Sequence, residues 1–181
     1  MGYIITSVAL GLHFDSVILI GMFLAFLLNS FFYVSGISKN ISLLFTSAVM
    51  ASSYFTSNHF IYLNDTFAED MYLTWVAYDL ITIFFILFLN RFFKQPLCTA
   101  SKYVIAGLTL NAVLCLLIHL DLRVLLNRDP WWFWYFYTLG INTIDVIMVA
   151  ALILDRDFLG VTIIKNRVKN YFSKRQKSIS A

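Results

Sequence analysis

Apolar residues fall in five long runs that short polar segments separate. Each run has about 20 residues or more, which is the length that an α-helix needs to cross the hydrocarbon core of a bilayer. The apolar segment before Asp15 is too short to cross alone, so it either extends the first helix or lies in the interface. The pattern predicts helices at Asp15 to Ile37, Ile41 to Leu63, Met71 to Phe93, Tyr103 to Leu126 and Trp131 to Leu154.

The composition strengthens this interpretation. Of the 181 residues, 60% are hydrophobic and only 13% are charged, and the mean hydropathy is +0.79. A soluble domain of this length could not bury so much apolar surface in one core, so lipid must cover the rest. We therefore predict an all-α integral membrane protein, with one bundle of about five transmembrane helices in residues 1–157. Both prolines, Pro96 and Pro130, fall between runs, so the helices should be regular.

Positive charge alternates between the connecting segments. Lys39 lies after the first run, Arg91, Lys94 and Lys102 surround the gap after the third, and further basic residues follow the fifth. The other connections carry acidic residues, including Asp65 and Asp121, with no basic excess. The positive-inside rule then places the N-terminus outside and the C-terminus in the cytosol, with an outer aromatic belt at residues 131–137. We expect the membrane to be a bacterial inner membrane.

The C-terminal segment, residues 158–181, is both basic and periodic. It predicts an amphipathic helix that lies on the anionic inner leaflet. The alternative is a docking helix for a cytosolic protein. Its predicted contact residues are the basic ones: Lys165, Arg167, Lys169, Lys174, Arg175 and Lys177.

Polar residues recur on one face of three predicted helices, at steps of three and four. Such faces turn away from lipid, because lipid cannot satisfy a carboxyl, an amide or an imidazole. The faces are Tyr72, Trp75, Asp79 and Thr82 on the third helix, Gly107, Asn111, Cys115, His119 and Arg123 on the fourth, and Trp131, Tyr135, Thr138, Asn142 and Asp145 on the fifth.

These faces predict a polar cavity or an ion or proton site, open to the outside and ending at Asp145. Intramembrane ionisable groups are costly and often functional, although a lone His or a protonated Asp is also a common structural hydrogen-bonding group. The candidate residues are His59, Asp79, Asn111, His119, Asn142 and Asp145. A metal site from His59, Asp79, His119 and Asp121 is conceivable by ligand type, but we predict neither a metal nor a cofactor.

Small residues repeat at a spacing of four on the first two helices. Gly21 and Ala25 share a face that Asn29 continues, and Ser47 and Ala51 form a second pair. This spacing permits close approach of two helices, either within the bundle or between copies of the chain.

Two functional classes fit this layout. The first is a non-enzymatic membrane subunit, a homo-oligomer that acts as a sensor or pore and couples to a cytosolic partner through its tail, as in bacterial stress or phage-defence systems. The second is a small proton- or ion-coupled transporter or channel that uses Asp79 and Asp145. The first is favoured because the chain lacks visible inverted repeats. We expect neither enzymatic activity nor nucleic-acid binding.

Overall fold

The computed structural model describes residues 2–63, 71–127 and 131–155, and side chains from residue 15 onwards except those of residues 60–63. The predicted C-terminal helix, with its basic residues, lies outside the described residues. The long helices are α1 (Gly2–Val34), α2 (Ile41–Leu63), α3 (Met71–Phe92), α4 (Thr99–His119) and α5 (Trp132–Leu154). They follow the apolar runs closely, and α1 extends through the N-terminal segment that the sequence left undecided.

Four of these helices are long and apolar enough to span a membrane: Asp15–Val34, Met71–Phe92, Thr99–Val124 and Trp132–Leu154. Their outward faces are apolar, as the exposed Phe84, Phe88 and Leu139 illustrate. The described chain therefore has the architecture of a helical membrane protein. The helix α2 is not among the four, because Ser, Thr, Asn and His residues lower its hydropathy.

The position of α2 in the bundle accounts for its polarity. Helices that follow one another along the chain pack together, and α1 also packs against α5. The helix α2 contacts each of the other four long helices. A helix enclosed in this way can pair its hydroxyls with protein. Thr46 and Ser101, for example, join α2 to α4 with hydroxyl oxygens 2.6 Å apart. The largest fully buried apolar side chains are Met22, Met50, Ile86, Leu108, Ile118, Met148, Leu152 and Val104.

The small-residue face of α1 packs against α5 within the same chain. A Cβ on Gly21 would lie 3.1 Å from Cγ1 of Val149, and Ala25 is fully buried. Asn29 donates its side-chain amide to the carbonyl of Leu152 at 3.0 Å. This face is therefore already covered, and close packing within the bundle accounts for its spacing.

The expectation of regular helices is wrong at the end of α4. Residues Leu120–Val124 form a π-helical turn, and the backbone N–H of Leu125 donates to the carbonyl of Leu120. Asp121, which the sequence placed in a polar outer connection, is buried in this turn. Its Oδ2 accepts hydrogen bonds from Nε1 of Trp131 and Nε1 of Trp134, at 3.0 and 2.9 Å. The wider turn thus accompanies a buried carboxylate that is satisfied by two indoles.

Candidate functional site

A cavity of about 290 Å³ lies between the helices. Its walls come from all five long helices, at the end of the bundle where α2 ends and α3 and α5 begin. Its polar and aromatic lining residues are Asp15, Ser53, Tyr54, Ser57, Asn58, Tyr72, Trp75, Tyr78, Asp79, Asn111, Cys115, Tyr137, Thr138, Asn142 and Asp145.

Asp145 lies deepest along α5, roughly 20 Å from the start of that helix at 1.5 Å per residue. Its side chain is buried, at 6% exposure. Oδ1 accepts two short hydrogen bonds, both of 2.7 Å, from the hydroxyl of Tyr54 and from Nδ2 of Asn111. The carboxyl is thereby held by α2 and α4, and no described residue donates to its Oδ2.

Asn111 leaves a second acceptor without a donor. Its Nδ2 is committed to Asp145, and its buried Oδ1 has no hydrogen-bond partner among the described residues. An unsatisfied buried acceptor costs about 1–3 kcal/mol. Asn111 lines the cavity, and its Oδ1 is enclosed by protein atoms beside it.

Two further carboxyls, Asp79 and Asp15, line the same cavity. Asp79 lies roughly 12 Å along α3 from its start at 1.5 Å per residue, so it sits at a shallower depth than Asp145. None of the described lining residues is Lys, Arg or His. Three carboxyls without a basic partner are stable in such a site only if protons, cations or water compensate them.

Aromatic side chains form much of the remaining wall. Tyr72 on α3 makes edge-to-face contacts with Trp75 and with Tyr137 on α5, with ring centroids 5.7 and 5.9 Å apart. Tyr54 and Tyr78 also line the cavity. The hydroxyl of Tyr137 lies 3.8 Å from Sγ of Cys115 on α4. The cavity therefore combines acidic groups with rings whose faces attract positive charge.

The structure places four of the six predicted site residues in this cavity: Asp79, Asn111, Asn142 and Asp145. The two histidines do not line it. His59 is exposed, and its ring lies 4.2 Å from that of Phe55. His119 has a buried Nδ1 without a partner among the described residues. Within the described ranges, no group of three His, Cys, Asp or Glu residues is placed to hold a metal, so the conceivable His/Asp metal site is not assembled there.

Sequence reasoning missed Asp15 and Tyr54. The apolar pattern places Asp15 at the start of the first predicted helix, whereas α1 begins at Gly2 and continues through Asp15. Tyr54 lies in the middle of α2, and the Tyr-Asp pairing had no sequence signal because 91 positions separate the two residues. The available clue was a polar face on α2, where Ser57 and Asn58 lie four and five positions after Ser53.

Comparison with known proteins identifies no function for the chain, so the geometry of the cavity is the basis for a proposal. No protein-family model, curated protein or solved structure matches the chain. The arrangement itself is suited to binding protons or cations, because its carboxyls lie at successive depths in a bundle of apolar helices.

Proposed function

We propose that this protein is a small proton- or ion-coupled membrane transporter or channel in which Asp79 and Asp145 bind the ion. The observation that supports this proposal is the cavity, whose described lining residues include three carboxyls and no Lys, Arg or His. A bundle that needed these residues only for packing would pair each carboxyl with a donor. Asp145 instead keeps one oxygen without a described donor, and Asp79 has no described hydrogen bond.

The depths of the two carboxyls favour transport over simple packing. At 1.5 Å per residue, Asp79 and Asp145 lie roughly 12 and 20 Å from the same end of the bundle. A cation or proton that enters from this end meets Asp79 before Asp145. The hydrocarbon core is about 30 Å thick, so Asp145 lies beyond its middle if that end is level with the membrane surface.

The test is flux through proteoliposomes that contain the purified full-length chain and a trapped pH-sensitive dye. A sodium or potassium gradient, or a pH gradient, should change the internal pH in wild-type vesicles. Asp79→Asn and Asp145→Asn should each abolish this change, because the amide keeps the shape of the side chain but cannot ionise. Asp155→Asn is the matched control, since Asp155 lies beyond α5 and outside the cavity.

Absence of flux in wild-type vesicles, or wild-type flux in both cavity variants, would contradict the proposal. Insertion and oligomeric state are checked by flotation of the vesicles and by light scattering in detergent. A variant that inserts normally but carries no flux supports the role of its carboxyl directly.

The proposal includes a fifth crossing by α2, an external N-terminus and a cytosolic C-terminus in a bacterial inner membrane. Lys39, Lys94 and Lys102 support this orientation. Lys39 follows α1, Lys94 follows α3 and Lys102 lies in the first turn of α4, all at the end of the bundle opposite the cavity. In a variant without native cysteines, a membrane-impermeant thiol reagent should label a cysteine introduced at Asp65 in intact cells. A cysteine at Ser173 should react only after lysis, and equal labelling from outside would reverse the orientation.

The sensor or pore subunit, with its homo-oligomer and cytosolic partner, remains the alternative. It depends on residues 158–181, which lie outside the described residues, and the small-residue face that could have joined two copies is covered by α5. The cavity therefore makes the transporter or channel our preferred proposal.

A further inference from the structure

We propose that the cavity binds a small organic cation that carries N–H groups, a protonated primary amine. This inference rests on the proposed transport function and names the class of its substrate. It is supported by three features of the cavity: its carboxyl groups, its aromatic wall and its hydrogen-bond acceptors without a described donor.

Charge and rings together select an organic cation. Asp15, Asp79 and Asp145 attract positive charge. An alkylammonium gains from both the carboxyls and the ring faces. The rings belong to Tyr54, Tyr72, Trp75, Tyr78 and Tyr137.

The acceptors select an ammonium with N–H groups over a quaternary one. The buried Oδ1 of Asn111 has no partner within the described chain, and no described residue donates to Oδ2 of Asp145. Both atoms belong to side chains that a hydrogen bond joins at 2.7 Å, and the proposal has one ammonium group donate to both. A quaternary ammonium has no N–H and would leave the two acceptors unsatisfied.

The volume limits the size of the ligand. A cavity of about 290 Å³ lies at or below the lower end of the range of roughly 300–1,000 Å³ that is usual for drug-sized ligands. A single ring or a short chain with one ammonium group fits this limit.

The experiment is isothermal titration calorimetry of the purified full-length protein in detergent, at neutral pH. The probes are benzylamine, which is protonated at this pH, benzyl alcohol, its neutral analogue, and benzyltrimethylammonium, its quaternary analogue. Benzylamine should bind about tenfold or more tightly than benzyl alcohol, and about fivefold or more tightly than the quaternary analogue.

This ligand series uses only the wild-type protein, so it does not depend on whether a variant folds. Equal affinity for the alcohol would show that the cavity is merely an apolar site and would overturn the inference. Equal or tighter binding of the quaternary analogue would overturn the assignment of an N–H donor. Absence of benzylamine binding would overturn the inference as a whole.

Variants then locate the site. Asp145→Asn should weaken benzylamine binding about tenfold or more, and Asn111→Leu about fivefold or more, because it removes the acceptor and keeps a similar volume. Asn90→Leu is the matched control: Asn90 is equally buried and its Oδ1 also lacks a described partner, but it does not line the cavity. Loss of affinity in Asn90→Leu equal to that in Asn111→Leu would place the ligand elsewhere.

Flux distinguishes failure of this inference from failure of the proposed function. If proteoliposomes show proton or ion flux that depends on Asp79 and Asp145 but benzylamine does not bind, the amine inference is wrong and the transport proposal stands. If there is neither flux nor benzylamine binding, the amine inference and the transport proposal are both wrong.

Discussion

The hydroxyl of Tyr54 on α2 donates to Oδ1 of Asp145 on α5, at 2.7 Å. This bond joins the most polar helix of the bundle to the deepest carboxyl of the cavity. Because Asn111 on α4 donates to the same oxygen, three helices meet at one atom. The geometry of the cavity floor should therefore depend on the hydroxyl of Tyr54.

Replacing Tyr54 with Phe should destabilise the protein by about 1–3 kcal/mol, because a buried carboxyl loses one of its two donors while the ring remains. It should also reduce the flux that depends on Asp145, since the free carboxyl can then adopt other rotamers. Stability is measured by circular dichroism during titration with SDS, and flux in proteoliposomes.

Tyr135→Phe is the control for this variant. Tyr135 lies on α5, but its side chain is 72% exposed and does not line the cavity. Its loss of a hydroxyl should change neither the unfolding midpoint nor the flux. Equal effects of the two replacements would show that the Tyr54 bond is unimportant.

Gly107 on α4 packs closely against side chains of α5. A Cβ at this position would lie 2.6 Å from Sδ and 2.7 Å from Cγ of the fully buried Met148. Gly107→Ala should therefore destabilise the bundle by about 1–3 kcal/mol, despite the better helix propensity of Ala. The shift of the midpoint in SDS titration measures this effect.

A double-mutant cycle tests the cause. Met148→Ala should itself cost stability, but adding Gly107→Ala to it should cost less than in the wild-type protein. The contacts of the new Cβ with Sδ and Cγ of Met148 are then gone, although the contact with Cγ2 of Ile144, at 3.2 Å, remains. Gly140→Ala is the comparison, since Cδ1 of Leu114, at 3.2 Å, is the one described atom that its Cβ would meet within 4 Å. Additive effects of the changes at 107 and 148 would rule out the clash.

The helices could be predicted from sequence, whereas their mutual contacts could not. Runs of apolar residues fix where a membrane helix can lie, and α2 begins and ends where predicted, at Ile41 and Leu63. The π turn was not predictable in this way, because it accompanies hydrogen bonds from Trp131 and Trp134 to Asp121 across a connection.

The polar faces predicted the cavity residues only where the spacing keeps the side chains on one side of the helix. Two residues four positions apart point in directions that differ by about 40° around the helix axis, because a turn has 3.6 residues. His119 is two steps of four from Asn111 and is therefore rotated by roughly 80°. On α5, the steps of four and three from Thr138 through Asn142 to Asp145 nearly cancel this rotation, and all three residues line the cavity.

Cys98 provides a pH-dependent test at the opposite end of the bundle. Its thiol caps the N-terminus of α4 by accepting a hydrogen bond from the backbone N–H of Ser101, at 3.3 Å. Burial raises the pKa of the Cys98 thiol above its ordinary value of 9.0, although hydrogen bonds with Ser101 oppose the shift. Because the thiolate is the reactive form, alkylation should be slow at neutral pH and accelerate as the pH rises above 9.0.

The rate is measured with N-ethylmaleimide in the Cys115→Ser variant, in which Cys98 is the one remaining cysteine. The control has both native cysteines replaced by Ser and a cysteine at Lys102, which is exposed. Its rate should rise at lower pH than that of Cys98. Identical pH profiles would contradict the raised pKa of Cys98.

The paired indoles predict which tryptophans are structural. Trp131→Phe and Trp134→Phe should each destabilise the protein, because each removes a donor from the carboxylate of Asp121. Trp132→Phe should be nearly neutral, since the side chain of Trp132 is 66% exposed and a Phe serves equally well against lipid. The measurement is the midpoint of SDS unfolding, followed by circular dichroism.

Asp121→Leu separates the hydrogen bonds from the packing of the rings. In this background the two indole N–H groups have already lost their acceptor, so Trp134→Phe should have a smaller effect than in the wild-type protein. The size of the difference is the coupling between Asp121 and Trp134. If Trp134→Phe is equally destabilising in both backgrounds, the ring stabilises the end of α4 through packing alone, and the bond to Asp121 does not hold the π turn in place.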